Sequence, residues 1–273
     1  MAGLSFRQEL QQSPVNIPRA ALRFAQEIAY PELDIDLYMA QIDQLAGTAR
    51  REIPEGDGVR DRAEALGDLL FNEIGFRGNI EAYDDPRNSY LNEVLNRQLG
   101  IPITLSVIYV AVAERLGLPT YGVGLPGHFI VSVQDSKGEL YLDPFNGGKR
   151  LSVGDCAHLV QDTTGYEGAF NMDWLKPARA SEILARMLNN LKIVYVQHEN
   201  WRLAIEVTEH LRHVQPDVHD HLRDLGLIHR QGGSLQQAVV YLERYLMQVG
   251  EAEDAEVVKK RLRMTVEELA RRN

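Results

Sequence analysis

The chain has 273 residues, of which 44% are hydrophobic and 25% are charged, as in an ordinary globular protein. Its formal net charge of −10 disfavours nucleic acid or an anionic membrane as a partner. A single cysteine, Cys156, excludes an internal disulfide and a cysteine-rich zinc site. The first seven residues lack the apolar stretch expected of a secretory signal, and the longest uncharged stretch, between Arg97 and Glu114, is too short to cross a membrane. We therefore expect a cytoplasmic protein without a metal or cofactor.

Helical patterns come first along the chain. The spacing of apolar residues predicts amphipathic helices over residues 36–51 and 60–73. A third helix is predicted after Asn88-Ser89, whose side chains can cap its first turn, and we expect it to end at Gly100.

The next predicted helix is apolar on almost every side. Pro102 stands at its first position, where a missing N–H removes no hydrogen bond, and the pattern runs over residues 103–115 until Gly117. A helix without a polar face is typical of the centre of a domain, because any face turned to water would expose apolar surface. We predict that this helix is buried.

After this helix the pattern changes to strands. Residues 120–124, 129–133 and 139–142 have the composition of β-strands, and residues 135–138 have that of a hairpin turn. Helices followed by an antiparallel sheet predict an α+β fold, with the apolar helix at its centre.

Two polar residues flank the predicted hairpin. If Ser136 and Lys137 centre the turn, Asp143 lies opposite Ile130. His128 is then a diagonal neighbour of Asp143 on the same side of the sheet, with Cβ atoms roughly 7 Å apart, which long side chains can bridge. A histidine oriented by an acid is half of a nucleophile–His–Asp triad, and a purely structural contact is the alternative.

The last third of the chain carries an internal repeat. Ala204 and Ala238 are 34 residues apart within two helical patterns, and Leu191 and Leu225 have the same offset. Gly226 stands where a small residue lets two helices approach. This period resembles that of tetratricopeptide repeats, whereas the alternative is an ordinary helical subdomain with accidental periodicity.

The acidic excess lies almost entirely in the first two thirds of the chain. Residues 162–168 have a loop-like composition, and Pro177 follows them. We place the domain boundary near residue 180, which gives one domain over residues 1–180 and an all-α region of helical repeats over residues 181–273.

Five motifs occur together in the first domain: Phe76-Arg77-Gly78-Asn79, Tyr83-Asp84-Asp85-Pro86-Arg87-Asn88-Ser89-Tyr90-Leu91-Asn92, Gly100-Ile101-Pro102-Ile103-Thr104-Leu105, Leu125-Pro126-Gly127-His128-Phe129 and Asp143-Pro144-Phe145-Asn146-Gly147-Gly148. Together they closely resemble the bacterial SirB-type family. That family joins a transglutaminase-like domain with a papain-like core to C-terminal tetratricopeptide-like helices. The resemblance covers nearly the whole chain and implies the same two-part fold.

The resemblance also implies where a Cys–His–Asp triad would lie. His128 and Asp143 match the histidine and the aspartate of the wider transglutaminase-like superfamily. Its cysteine begins a buried helix, where the helix dipole stabilises the thiolate, and Pro102 stands at that position here. We expect Cys156, which follows the last predicted strand, to be a small buried apolar residue.

Two hydroxyl groups are the remaining candidate nucleophiles. Thr104 and Ser106 lie near the start of the predicted central helix, and His128 could deprotonate either of them. A hydroxyl has a much higher pKa than a thiol and depends more heavily on its base. Hydrogen bonding to nearby backbone and packing within the helix are the structural alternatives.

Further polar residues surround the expected cleft. Asn79, Asn88 and Asn92 are candidates for ligand binding together with Pro102, although the amides could equally hold the surrounding loops.

Two functions from different classes follow. The first is a non-catalytic adaptor that binds a protein or peptide through its cleft and helical repeats. The second is a peptidase-type hydrolase or acyl-transferase that uses Thr104 or Ser106 with His128 and Asp143. The missing cysteine favours the adaptor, and the oligomeric state is left open.

Overall fold

The computed structural model of the chain describes residues 3–250 and 253–272. It divides into two compact units between Met187 and Leu188. No helix within the described ranges is both long enough and apolar enough to span a membrane.

Helices make up the first part of the first unit. They are α1 (Phe6–Glu9), α2 (Ile17–Ile28), α3 (Ile35–Glu52), α4 (Val59–Gly67) and α5 (Leu91–Arg97). The predicted helix over residues 36–51 is confirmed as α3, and the one over 60–73 is α4 continued by a π-helical segment, Asp68–Glu73.

Helix α5 has different ends from those predicted. It begins after Tyr90, because Asn88 belongs to a short 3-10 turn, Pro86–Asn88, and does not cap it. It ends at Arg97 and is capped by Gln98, which adopts the left-handed conformation at φ 58°. Gly100 allows a close contact with the side chain of Thr104, because a Cβ atom at this position would lie 2.8 Å from Oγ1 of Thr104. Both predicted ends were wrong because the residues at them have tertiary partners.

The central helix α6 (Pro102–Arg115) confirms the prediction of a buried apolar helix. Every residue from Pro102 to Tyr109 is buried. Gly117, with φ 72°, lies just beyond its end, as expected.

Four antiparallel strands lie in their sequence order. They are β3 (Thr120–Leu125), β4 (His128–Asp135), β5 (Gly138–Asp143) and β6 (Lys149–Leu151), and they follow a short parallel pair, β1 (Arg77–Gly78) and β2 (Leu99–Gly100). In the hairpin Asp135 pairs with Gly138 and Val131 pairs with Leu142, which is the predicted register. Strand β6 was not predicted, and residues 162–164 of the expected loop form the end of helix α7 (Val153–Thr164).

Five helices complete the chain: α8 (Ala180–Gln197), α9 (Trp201–Val214), α10 (Asp220–Gln231), α11 (Leu235–Val249) and α12 (Ala255–Arg272). The equivalent residues Ala204 and Ala238 are fully buried. A Cβ atom on Gly226 would lie 2.6 Å from the side chain of Leu242, so a glycine is needed where α10 crosses α11. The two units divide part-way along α8, beyond residue 180, because Ile183 and Arg186 pack against strand β3.

Candidate functional site

The structure brings His128 and Asp143 together. His128 begins β4, Asp143 ends β5, and Nε2 of the imidazole lies 3.0 Å from Oδ1 of the carboxylate. The two residues are 4% and 1% exposed, so the contact is shielded from water. Because a carboxylate only accepts hydrogen bonds, the N–H group belongs to Nε2, and Nδ1 of a neutral imidazole keeps its lone pair. The part of the chain that the structure describes gives Nδ1 no hydrogen-bond partner.

The carboxylate of Asp143 is held by its own loop. Asp143 caps the 3-10 turn Pro144–Asn146, and its Oδ1 accepts hydrogen bonds from the backbone N–H groups of Phe145 (3.1 Å) and Asn146 (3.4 Å). Its Oδ2 accepts from Nδ2 of Asn146 at 2.7 Å. These hydrogen bonds from its own loop fix the position of the Asp143 carboxylate, and the fixed carboxylate orients the imidazole of His128.

An aromatic ring packs against the imidazole. The ring of Phe145 makes edge-on contacts with His128 and Tyr83, with centroid distances of 5.9 and 6.0 Å. On another side the ring contacts Gly78, where a Cβ atom would lie 2.6 Å away. Three separate sequence motifs therefore meet at Phe145.

The two candidate hydroxyl nucleophiles contact backbone. The Thr104 hydroxyl donates to the carbonyl of Asn88 at 2.8 Å and accepts from the N–H of Ile101 at 3.1 Å. Ser106 donates to the carbonyl of Phe129 at 3.5 Å. Within residues 3–250 and 253–272, no hydrogen bond joins either hydroxyl to His128.

Cys156 lies on α7 within an apolar cluster that includes Ile130 and Tyr141. Burial is the main cause that raises the pKa of its thiol to about 11, and the nearby carboxylates of Asp155 and Asp143 add to the effect. The thiol is therefore protonated at neutral pH, and a protonated thiol is a poor nucleophile.

Two of the three candidate asparagines make hydrogen bonds within the loop that carries them. Nδ2 of Asn79 donates to Oδ1 of Asn88 at 3.0 Å. Nδ2 of Asn88 donates in turn to the carbonyls of Ala82 and Tyr83. The side chain of Asn88 is completely buried, and the hydrogen bonds of both amides hold the loop, which is the alternative that the sequence left open.

The other two candidates are placed differently. Asn92 lines a hollow of about 410 Å³ with Tyr30, Leu33 and Tyr38, apart from the residues around His128. Pro102 is buried as the first residue of α6 and carries no hydrogen-bonding group in its side chain.

Sequence reasoning missed Arg186, on the first part of α8. Its Nη1 donates to the carbonyl of Leu125 at 2.7 Å, and its guanidinium carbon lies 5.6 Å from the centre of the Phe129 ring. It lines a cavity of about 490 Å³, which we call the Arg186 cavity; the other lining residues include Gly124, Phe129, Trp174, Pro177 and Glu182. The sequence around an isolated arginine in an amphipathic helix does not indicate which strand that arginine will contact.

Comparisons with known proteins agree with this architecture. The model of the transglutaminase-like superfamily matches residues 36–189, and a tetratricopeptide repeat model matches residues 191–263. The chain is a SirB-type member of the transglutaminase-like superfamily. Its transglutaminase-like domain thus carries the His–Asp pair, and tetratricopeptide repeats follow.

Two bacterial relatives match most of the chain, and a human relative matches about half of it. A UPF0162 protein of Xylella fastidiosa (strain Temecula1) is 36% identical over 84% of this chain and 83% of its own. Protein SirB1 of Salmonella typhimurium is 27% identical over 80% of this chain and 81% of its own. The human F-box only protein 21 is 32% identical over 47% of this chain and 21% of its own length.

Proposed function

We propose that this protein is a non-catalytic adaptor that binds a peptide segment of a partner protein. The transglutaminase-like domain contributes a binding site around His128, and the tetratricopeptide repeats contribute a second binding surface. The observation that carries the proposal is that, among the residues that the structure describes, no thiol or hydroxyl group is hydrogen-bonded to the imidazole of the His–Asp pair.

Several contacts support the loss of catalysis. Pro102 begins the helix at which the superfamily pattern has its cysteine, and proline has no nucleophilic group. The sole cysteine, Cys156, is surrounded by apolar side chains, and its raised pKa keeps the thiol protonated. The Thr104 hydroxyl makes hydrogen bonds to two backbone groups, which compete with proton transfer to a base.

The pair of His128 and Asp143 still suits a binding role. Asp143 fixes the imidazole, and Nδ1 offers an acceptor that can receive an N–H or O–H group of a peptide. Tetratricopeptide repeats commonly bind extended or helical segments, because stacked helix pairs form a concave surface. Together the two parts can hold one partner protein without changing it chemically.

Binding to an array of short synthetic peptides tests the proposal. We expect the full chain to bind a subset of peptides, and His128→Ala and His128→Gln to weaken that binding about tenfold or more, as for loss of a buried hydrogen bond. His158→Ala replaces an exposed histidine of the same domain and should leave binding unchanged. Circular dichroism of each variant checks that it remains folded.

A parallel assay addresses catalysis. The pure protein is incubated with amide, ester and peptide substrates, and we expect no turnover. Turnover that His128→Ala abolishes would overturn the adaptor and support a hydrolase or acyl-transferase. Thr104→Val and Ser106→Ala would then identify which hydroxyl attacks.

A further inference from the structure

Arg186 is a half-buried cation without a carboxylate partner. Within the described residues no aspartate or glutamate lies within ion-pair distance of its guanidinium. Its one hydrogen bond runs from Nη1 to the carbonyl of Leu125, so other N–H groups of the planar guanidinium are available. Burial lowers the pKa of Arg186, as expected for a charge that is removed from water and left uncompensated.

The other charges around the Arg186 cavity are already paired. Lys176 lies 2.6 Å from Asp173, and Arg179 makes a two-pronged contact with Glu182 at 2.7 and 3.1 Å. These four side chains neutralise one another. The cavity therefore has a single uncompensated positive charge, and it lies on the wall formed by α8.

A continuous set of contacts joins Arg186 to His128. Leu125, which accepts the Arg186 hydrogen bond, pairs directly with His128 in the sheet. The Phe129 ring beneath the guanidinium belongs to the next residue. On the other side, the phenol of Tyr83 lies within electrostatic reach of Arg186, and its ring packs on Phe145, which touches His128. Arg186 is thus linked to the His–Asp pair through the backbone of Leu125 and through the rings of Tyr83 and Phe145.

We propose that Arg186 binds a carboxylate group of the peptide ligand, either the free C-terminus or an acidic side chain. This inference rests on the proposed function and names its ligand chemistry. A guanidinium offers two parallel N–H groups that match the two oxygens of a carboxylate, and such pairs are strongest where water is excluded. The cavity of about 490 Å³, with the aromatic walls of Phe129 and Trp174, has room for a peptide end or a side chain.

Small probes separate the two sources of carboxylate. N-acetylglycine represents a free C-terminus, the α-amide of N-acetylglutamate represents an acidic side chain, and N-acetylglycinamide is the neutral control. Each is titrated into the full chain while the Nε–Hε signal of Arg186 is followed by nuclear magnetic resonance. The signal is assigned by its disappearance in Arg186→Lys.

We expect at least one carboxylate probe to shift this signal to saturation, and the neutral probe to leave it in place. The tighter carboxylate identifies the source. Arg186→Gln should weaken binding of that probe at least tenfold, detected on neighbouring signals such as the indole N–H of Trp174. Arg202→Gln, which removes an exposed arginine outside the Arg186 cavity, should weaken it less than twofold.

Three results would overturn the inference. They are an equal response to charged and neutral probes, an equal loss in Arg202→Gln and Arg186→Gln, and tighter binding of inorganic phosphate than of either carboxylate. The peptide array distinguishes this failure from failure of the proposed function. If peptides bind with a dependence on His128 but not on Arg186, only the carboxylate inference fails. If no peptide binds while the carboxylate probes saturate, the adaptor proposal fails and Arg186 is a carboxylate site for a ligand other than a peptide.

Discussion

One face of the four-stranded sheet has a polar end and an apolar middle, and each contains a residue capable of catalysis. At the polar end, the imidazole of His128 is hydrogen-bonded to Asp143. Two residues further along β4, Ile130 belongs to the apolar cluster that surrounds the thiol of Cys156. Both residues are buried, yet only the imidazole has a charged partner.

The difference shows how much the surroundings of a buried group depend on whether a hydrogen-bonding partner is buried with it. Asp143 compensates the lost hydration of His128 and keeps its second nitrogen available. The thiol of Cys156 is packed among apolar side chains, and the carboxylates of Asp155 and Asp143 lie near it. Both features disfavour its negatively charged form. The domain therefore holds a hydrogen-bonded imidazole and a protonated thiol in different surroundings on one face of the sheet.

Among the substitutions that test this comparison, removal of the Asp143 carboxylate should have the largest effect on the free energy of unfolding. Asp143→Ala deletes the acceptor for the imidazole and for three N–H groups of its own loop. Because a buried histidine is then left without a partner, we expect a loss of about 3–5 kcal/mol in the free energy of unfolding. Chemical denaturation followed by near-ultraviolet circular dichroism measures it.

Asp143→Asn is the matched control. Its amide oxygen can still accept from the loop, so we expect a smaller loss of about 1–3 kcal/mol. A loss below about 1 kcal/mol for the alanine variant would show that the polar end does not depend on the acid.

The next largest effect on stability should come from crowding the ring of Phe145, which packs on the imidazole of His128. In Gly78→Ala the new Cβ atom would lie 2.6 Å from Phe145, which Tyr83 and His128 hold on other sides. We expect overpacking to cost about 1–3 kcal/mol, measured by the same denaturation. In Gly154→Ala the Cβ atom meets only ordinary contacts within α7, so the helix should gain up to about 1 kcal/mol. Equal changes in the free energy of unfolding for Gly78→Ala and Gly154→Ala would contradict the close contact between Gly78 and the ring of Phe145.

The elements that carry the polar end could be predicted from the sequence because local patterns determine them. The central helix follows from its unbroken apolar composition and from Pro102 at its start. The position of Asp143 relative to His128 follows from the short turn between β4 and β5, because a hairpin turn sets the register of both strands.

The residues that the sequence could not place have partners far along the chain. Asn88 has the local pattern of a helix cap, but its amide is used by Asn79 and by the loop around residue 82. Arg186 meets the carbonyl of Leu125, which is 61 residues away. Such pairings depend on how α8 and the loops pack against the sheet, and no spacing rule encodes that packing.

The smallest expected effect is a pH-dependent change in stability, and it comes from the thiol of Cys156 in the apolar middle of the sheet. The folded pKa of Cys156 is about 11, above its ordinary value of 9.0. Below pH 9 the thiol is protonated in both states; between pH 9 and 11 the unfolded chain loses the proton while the folded chain keeps it. Rising pH therefore favours unfolding, and we expect the thiol to account for about 1–2 kcal/mol of lost stability over this range.

Cys156→Ala isolates this contribution, because the variant has no thiol to titrate while tyrosines still ionise. Between pH 9 and 11 the parent chain should lose about 1–2 kcal/mol more than the variant does. At pH 8 the folded parent should resist iodoacetamide and become labelled only when it is unfolded, since the reagent needs an accessible thiolate. Rapid labelling of the folded chain at pH 8 would mean that the thiol is reactive, and the contrast between the polar end and the apolar middle of the sheet would no longer hold.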